Sequence, residues 1–148
     1  MDRREERVRQ RGSAAIELVA GTGLLLLPAV LLVLSIPGWA QAKTAAEIAA
    51  REAARSVALA ADPESVHAAA TGRETARSAL QNHGHVPVAE PSFRWSHAEV
   101  RGGLAQSQVE ATVTVRMPAL TVPFIGSWMS FDWSATHTEP IDIYRSRP

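Results

Sequence analysis

Glu17 is the first residue of the chain whose type and position suggest chemistry. It stands just ahead of residues 18–42, a run of 25 without a charged side chain. An ionised carboxylate is costly at depth in a bilayer, so either Glu17 reaches the nearby interface or it has a partner inside the membrane. Other candidates are few. His83-Gly84-His85 looks metal-like, yet two histidines at a helix stop read better as a solvated turn without further placed ligands. His97-Ala98-Glu99 lacks the flanking residues of a deaminase or metalloprotease motif. His137 falls on the apolar side of an alternating segment, where a hydrogen-bonded core histidine is expected. There is no Gly-x-Ser-x-Gly, no phosphate-binding glycine loop and no paired-carboxylate signature. No catalytic, cofactor-binding or metal-ligating residue is expected, and the chain does not read as an enzyme.

The composition narrows the field further. The 148 residues include 15 basic and 15 acidic side chains, a formal charge of zero, and no cysteine. Disulfide scaffolds, thiolate zinc sites and cysteine nucleophiles are therefore excluded. A domain that binds nucleic acid usually carries a basic excess, and none exists here. Hydrophobic residues at 46% and charged residues at 20% resemble a neutral soluble globule. That average conceals unlike parts. Residues 1–12 hold five arginines against three acids, a net of +2, whereas residues 43–148 hold ten basic and eleven acidic side chains.

The uncharged run would reach roughly 37 Å as a helix, enough for a ~30 Å hydrocarbon core with some tilt. A buried core helix is the alternative, but few core helices stay apolar on every face for so long. The leader arginines predict a cytoplasmic N-terminus, residues 13–42 as the transmembrane segment, and the remainder outside the membrane. Gly21, Gly23 and Pro28 weaken helix within the span, though membrane helices tolerate such residues better than soluble ones.

The spacing around Glu17 carries a resemblance. Arg11-Gly12-Ser13-Ala14-Ala15-Ile16-Glu17 places the acid fifth after a glycine that closes a short basic leader. The segment resembles the N-terminus of the type IV pilin superfamily. With Leu18 and the later Ala50-Arg51-Glu52-Ala53-Ala54-Arg55, it is similar to the TadE-like (TadE/TadG) pseudopilins of tight-adherence, or Flp, pilus systems. The ending Ala135-Thr136-His137-Thr138-Glu139-Pro140-Ile141-Asp142-Ile143-Tyr144-Arg145 resembles the C-termini of actinobacterial members. The resemblance implies prepilin processing at Gly12, with Ser13 as the mature N-terminus. It also implies that Glu17 neutralises the new amino terminus of a neighbouring subunit. An ammonium and a carboxylate would each be costly alone in lipid. Leu18 replaces the aromatic residue usual after that glutamate. The cysteine pair of many relatives is missing, which leaves the sheet region more reliant on Trp95 and Trp133.

A rival reading comes from Ala40-Gln41-Ala42 before Lys43, which has the small-x-small form of a signal-peptidase site after a helix break at Pro37-Gly38. Cleavage there would release residues 43–148. Against it, the apolar run exceeds the ~7–15 residues of a secretory core. The anchored reading is preferred.

Beyond the span, residues 43–82 read as extracytoplasmic helices. Ala42, Ala46, Ala49, Ala53, Val57 and Ala60 trace a narrow face within residues 39–61, and Glu47 and Arg51 are spaced for an ion pair. Such a face needs a partner, either the chain's own sheet, the default, or a neighbouring subunit. Asp62 as N-cap and Pro63 at the first position predict a second helix to about Gln81, with Val66, Ala69, Ala76 and Leu80 packing and Asn82-His83-Gly84 as its stop.

Residues 83–148 read as antiparallel sheet with long loops. Alternation over 108–117 and 130–138 predicts two strands, and Phe93-Arg94-Trp95 a shorter one before a turn at Gly102-Gly103. Residues 118–128 are expected to form a long connection that exposes Phe124, Ile125 and Trp128. The fold class is therefore α+β: a transmembrane helix continuing into a long alanine-rich helix, a second helix, and a three-stranded antiparallel sheet. The expected partners are membrane lipid, a prepilin peptidase, other pilins or pseudopilins, and the pilus assembly platform, with no nucleic acid and no cofactor. The alternative is an exported or anchored binding or adhesion domain whose N-terminal segment is only a signal or anchor.

Overall fold

A computed structural model describes residues 3–99, 105–122 and 126–142. Five elements follow in order: α1 (Arg3–Ala58), α2 (Val66–Asn82), β1 (Ser92–Glu99), β2 (Ala105–Val122) and β3 (Gly126–Pro140). The sheet is antiparallel in the order β1-β2-β3, and the far half of α1 together with α2 covers one face. The architecture is the α+β arrangement anticipated from the sequence.

The 56 residues of α1 extend for roughly 84 Å at the usual helical rise. Pro28 and Pro37 both lie inside it, so the expected break at Pro37-Gly38 does not occur. Each proline lacks an N–H and leaves the carbonyl four residues earlier without its helical donor. The backbone nonetheless stays helical to Ala58, where a turn leads to α2.

Alanine sets how closely the layers approach. Ala42, Ala46, Ala49, Ala53 and Val57 are fully buried, as are Ala45, Ala50 and Ala54 beside them, so the buried face is wider than a single stripe. It packs on Ala111, Val113, Val115 and Met117 of β2. The default partner, the chain's own sheet, is the one found. Glu47 pairs with Lys43 at 3.8 Å, one turn earlier, in place of the anticipated Arg51.

The start of α2 differs from expectation. Ser65 is its N-cap, with Oγ accepting from Ala68 N–H at 3.1 Å, while Asp62 and Pro63 belong to the connecting turn. The Asp62 carbonyl accepts from the Ser65 hydroxyl at 2.7 Å, and the Pro63 carbonyl from Trp95 Nε1 at 3.0 Å. Ala69, Ala76 and Leu80 are buried as anticipated, but Val66 faces solvent at 84% exposure. The expected stop holds: Gly84, at φ +73°, donates to Gln81 and His85 donates to Leu80, both at 2.9 Å. This pair of bonds is the Schellman geometry that glycine favours.

Gly72 has a positive role that its weak helix propensity does not reveal. A Cβ built there would lie 2.6 Å from both Phe93 Cζ and Val57 Cγ2. The missing side chain allows α2, α1 and β1 to meet.

The strands extend past the alternating segments that signal them. Val109, Ala111, Val113, Val115 and Met117 turn toward the helices and are buried. The opposite face carries polar cross-strand pairs: Thr114 with Ser134 at 2.8 Å, Thr112 with Thr136 at 3.3 Å, and Arg116 with Asp132 at 3.2 Å. The expected long connection over 118–128 is mostly strand. Pairing continues through Pro118↔Ser130 and Leu120↔Trp128 to Val122↔Gly126. Pro118 lies beyond the part of β2 that β1 covers, so its missing donor falls at an open edge and its carbonyl accepts from the side chain of Trp39. Phe124 and Ile125, the Gly102-Gly103 turn, and Ile143-Tyr144-Arg145 lie outside the described residues.

Candidate membrane-spanning and assembly segment

Two environments divide α1. Large apolar side chains from Ile16 to Leu34 stand mostly outside any packing, with Leu24 and Leu25 each 77% exposed. From Ala42 onward one face disappears beneath the sheet and α2. A helical stretch apolar on all sides and largely uncovered by the described residues fits a hydrocarbon surround better than water. The helix is long and apolar enough to cross a membrane.

Gly12 and Ser13 lie within the helical backbone of α1, one turn before Glu17. The Gly12–Ser13 bond is thus continuous with the apolar segment of the same helix. The Glu17 side chain is exposed at the start of the apolar segment. In the segment from Ala50 to Arg55, Arg51, Glu52 and Arg55 are exposed while Ala53 and Ala54 are buried. The rival site before Lys43 occupies mid-helix. Ala42 is fully buried there, so cutting the folded chain requires local unwinding.

The junction between span and domain is built from aromatic and polar contacts that sequence reading missed. Trp39 Nε1 donates to the Pro118 carbonyl of β2. Its ring meets Phe131 of β3 edge-on, with centroids 6.5 Å apart. One turn later, Lys43 Nζ lies 5.8 Å from the centroid of Trp133. Ser35 is buried among exposed neighbours, and its hydroxyl donates to the Leu31 carbonyl at 2.9 Å. A matching pair of uncharged stretches, residues 18–42 and 117–131, was the available signal for this meeting.

The histidines take separate roles. His83 caps α2, and His85 contributes its backbone N–H to the same stop. His97 Nδ1 lies 2.9 Å from Ser107 Oγ, while its Nε2 lies 3.4 Å from Glu64. His137 is half-buried, not fully in the core, and its Nε2 approaches Glu139 at 3.2 Å. Among the described residues no three histidine or acidic side chains form a cluster able to hold a metal ion. An open cleft lined by Ala40, Gln41, Thr44, Asn82 and His83 gathers no acid–base pair.

No family model, characterised protein or solved structure matches the chain.

Proposed function

We propose that the protein is a bitopic minor pilin or pseudopilin that assembles through its N-terminal helix, in a tight-adherence pilus or in the machinery that builds one. The observation that carries this reading is the division of a single helix. Its stretch from Ile16 to Leu34 is apolar and mostly exposed, and from Ala42 onward one face is buried under its own small α+β domain. Such a helix can present its bare half to lipid or to sister helices while holding the domain at a fixed distance outside. The N-terminus is cytoplasmic and the sheet extracytoplasmic in this arrangement, following the arginines of the leader.

Cutting after Gly12 would free an ammonium at Ser13, and Glu17 of an adjacent subunit supplies the opposite charge. Pairing the two in lipid offsets their desolvation and fixes the axial offset between neighbours. The sheet domain is then a spacer and contact surface, and the required partners are a prepilin peptidase, other pilins or pseudopilins, and the assembly platform.

The test combines intact mass and N-terminal sequencing of protein from native membranes with a Glu17→Ala variant. The expected start is Ser13, and the variant should insert normally but fail to incorporate. A start at Lys43 would remove the pilin reading, and normal incorporation of Glu17→Ala would remove the charge-pairing role.

A further inference from the structure

The β2–β3 hairpin runs back along α1 toward the apolar segment. Val109 packs in one cluster with Val57 and Ala58, whereas Pro118 and Phe131 meet Trp39. Eighteen residues of helix therefore match nine of strand, ~27 Å against ~30 Å by their usual rises. Four further residues carry β2 from Pro118 to Val122, a distance of ~13 Å. That brings the described end of the hairpin level with about residue 31 of the helix. Burial agrees: Ser35 is 1% exposed and Leu31 is half-buried, whereas Leu32, Val33 and Leu34 are each more than half exposed.

This overlap leaves too little bare helix. From Glu17 to Leu31 is 14 residues, or ~21 Å, against a hydrocarbon core of ~30 Å. Tilting the helix would widen the deficit. A spanning α1 must therefore bring either Glu17 or the hairpin end toward the acyl chains, by a total of ~9 Å.

The hairpin is composed for that position. Residues 117–131 contain no charged side chain, and the stretch is bracketed by the Arg116–Asp132 ion pair. On the helix, the uncharged run ends at Lys43, which lies against Trp133 beside Asp132. Charge thus stops at one level on all three strands of chain. Beyond that level Phe131 is 43% and Met129 72% exposed. Met129 holds φ +62°, an uncommon conformation for a residue with a side chain. Trp39 and Trp133 lie at this boundary, as aromatic side chains do at membrane–water interfaces.

On the membrane reading of α1, on which this step rests, we infer that the β2–β3 hairpin end, with Leu120, Met129 and Phe131, is a second membrane-contacting element seated at the headgroup–acyl boundary. The partner is a lipid surface in the leaflet on the sheet's side. Two considerations set its depth. Interfacial elements sit ~5–10 Å into this boundary, a depth that accommodates whatever share of the deficit Glu17 does not take. Sheet edges carry backbone groups that need partners and are not tolerated in bare hydrocarbon, so the hairpin goes no deeper.

The absence of cysteine allows the test to use single labelled sites in the full chain reconstituted in phosphatidylcholine–phosphatidylglycerol vesicles. An environment-sensitive fluorophore is placed at Met129→Cys, with Leu26→Cys as reporter of the span and Ser134→Cys as reporter of the polar sheet face. Quenching by nitroxide lipids labelled near the headgroup is compared with quenching by aqueous iodide. The expected result is a blue shift and lipid-nitroxide quenching at Met129→Cys, with iodide quenching at Ser134→Cys. Iodide quenching at Met129→Cys beside lipid quenching at Leu26→Cys overturns the hairpin inference and leaves the span intact. Shielding of Met129→Cys from both quenchers also overturns it, in favour of cover by another protein surface. Iodide quenching at Leu26→Cys overturns the membrane reading itself, and this inference with it.

Discussion

Trp39 donates its indole N–H to the carbonyl of Pro118, 79 residues further along the chain. The bond ties the end of the apolar helical segment to the last third of the longest strand. It thereby holds the hairpin against α1 and sets how far the strands reach along the helix beyond Trp39. The same indole packs edge-on against Phe131, so one side chain links α1 to both strands of the hairpin.

Trp39→Phe keeps most of that packing and removes the donor. The expected cost is about 1 kcal/mol, the net value of one ordinary hydrogen bond. Amide exchange in detergent-solubilised protein checks its location, with faster exchange at 118–122 and 126–130 than in β1. Trp95→Phe is the control, because its indole bonds to Pro63 near the opposite end of the sheet. Uniform acceleration in both variants would contradict a local clamp at Trp39.

Gly72→Ala separates two opposing effects. Helix propensity alone favours alanine by about 1 kcal/mol. The close approach of Phe93 and Val57 instead demands displacement of packed side chains. A net destabilisation of about 1–2 kcal/mol is expected, measured by urea unfolding of the full chain. A Phe93→Leu change in the same background should recover part of the loss. A stabilised Gly72→Ala protein would show that the three elements do not meet as described.

Leu80 and Val66 test the facing of α2. Leu80 is fully buried, so Leu80→Ala should cost about 2–5 kcal/mol. Val66 is 84% exposed, and Val66→Ser should change stability by no more than about 0.5 kcal/mol. Comparable losses in the two unfolding curves would mean that Val66 is covered.

The polar face of the sheet should contribute little through charge. Arg116 and Asp132 lie 3.2 Å apart but are exposed at 62% and 48%. A double-mutant cycle with Arg116→Ala and Asp132→Ala should give a coupling below about 1 kcal/mol, reduced further by added salt. A larger coupling that persists in salt would place the pair in a drier setting than the exposed sheet face.

The sequence by itself determined the element types and most of the buried residues. An uncharged run longer than a bilayer core, alanines recurring at helical spacing and a ten-residue alternation at 108–117 each have one economical physical solution. The Asn82-His83-Gly84 stop was equally legible, because its stereochemistry is local. Local signals failed where tertiary contacts compete with them. Pro37-Gly38 looks like a break, yet the helix runs through it. Asp62-Pro63 has the chemistry of a helix start, but Ser65 takes the cap and leaves both residues in the turn. Pro118 and Gly126 suggested a long loop, whereas cross-strand pairing carries the hairpin on to Val122↔Gly126. Only the tertiary structure decided that residues 117–122 of β2 and 126–131 of β3 lie back along α1, because that depends on the matched rise of a strand and a helix packed together. The candidate assembly residues divide in the same way. The spacing of Gly12, Ser13 and Glu17 was readable from sequence, but the length of bare helix beyond them depends on how far the sheet reaches.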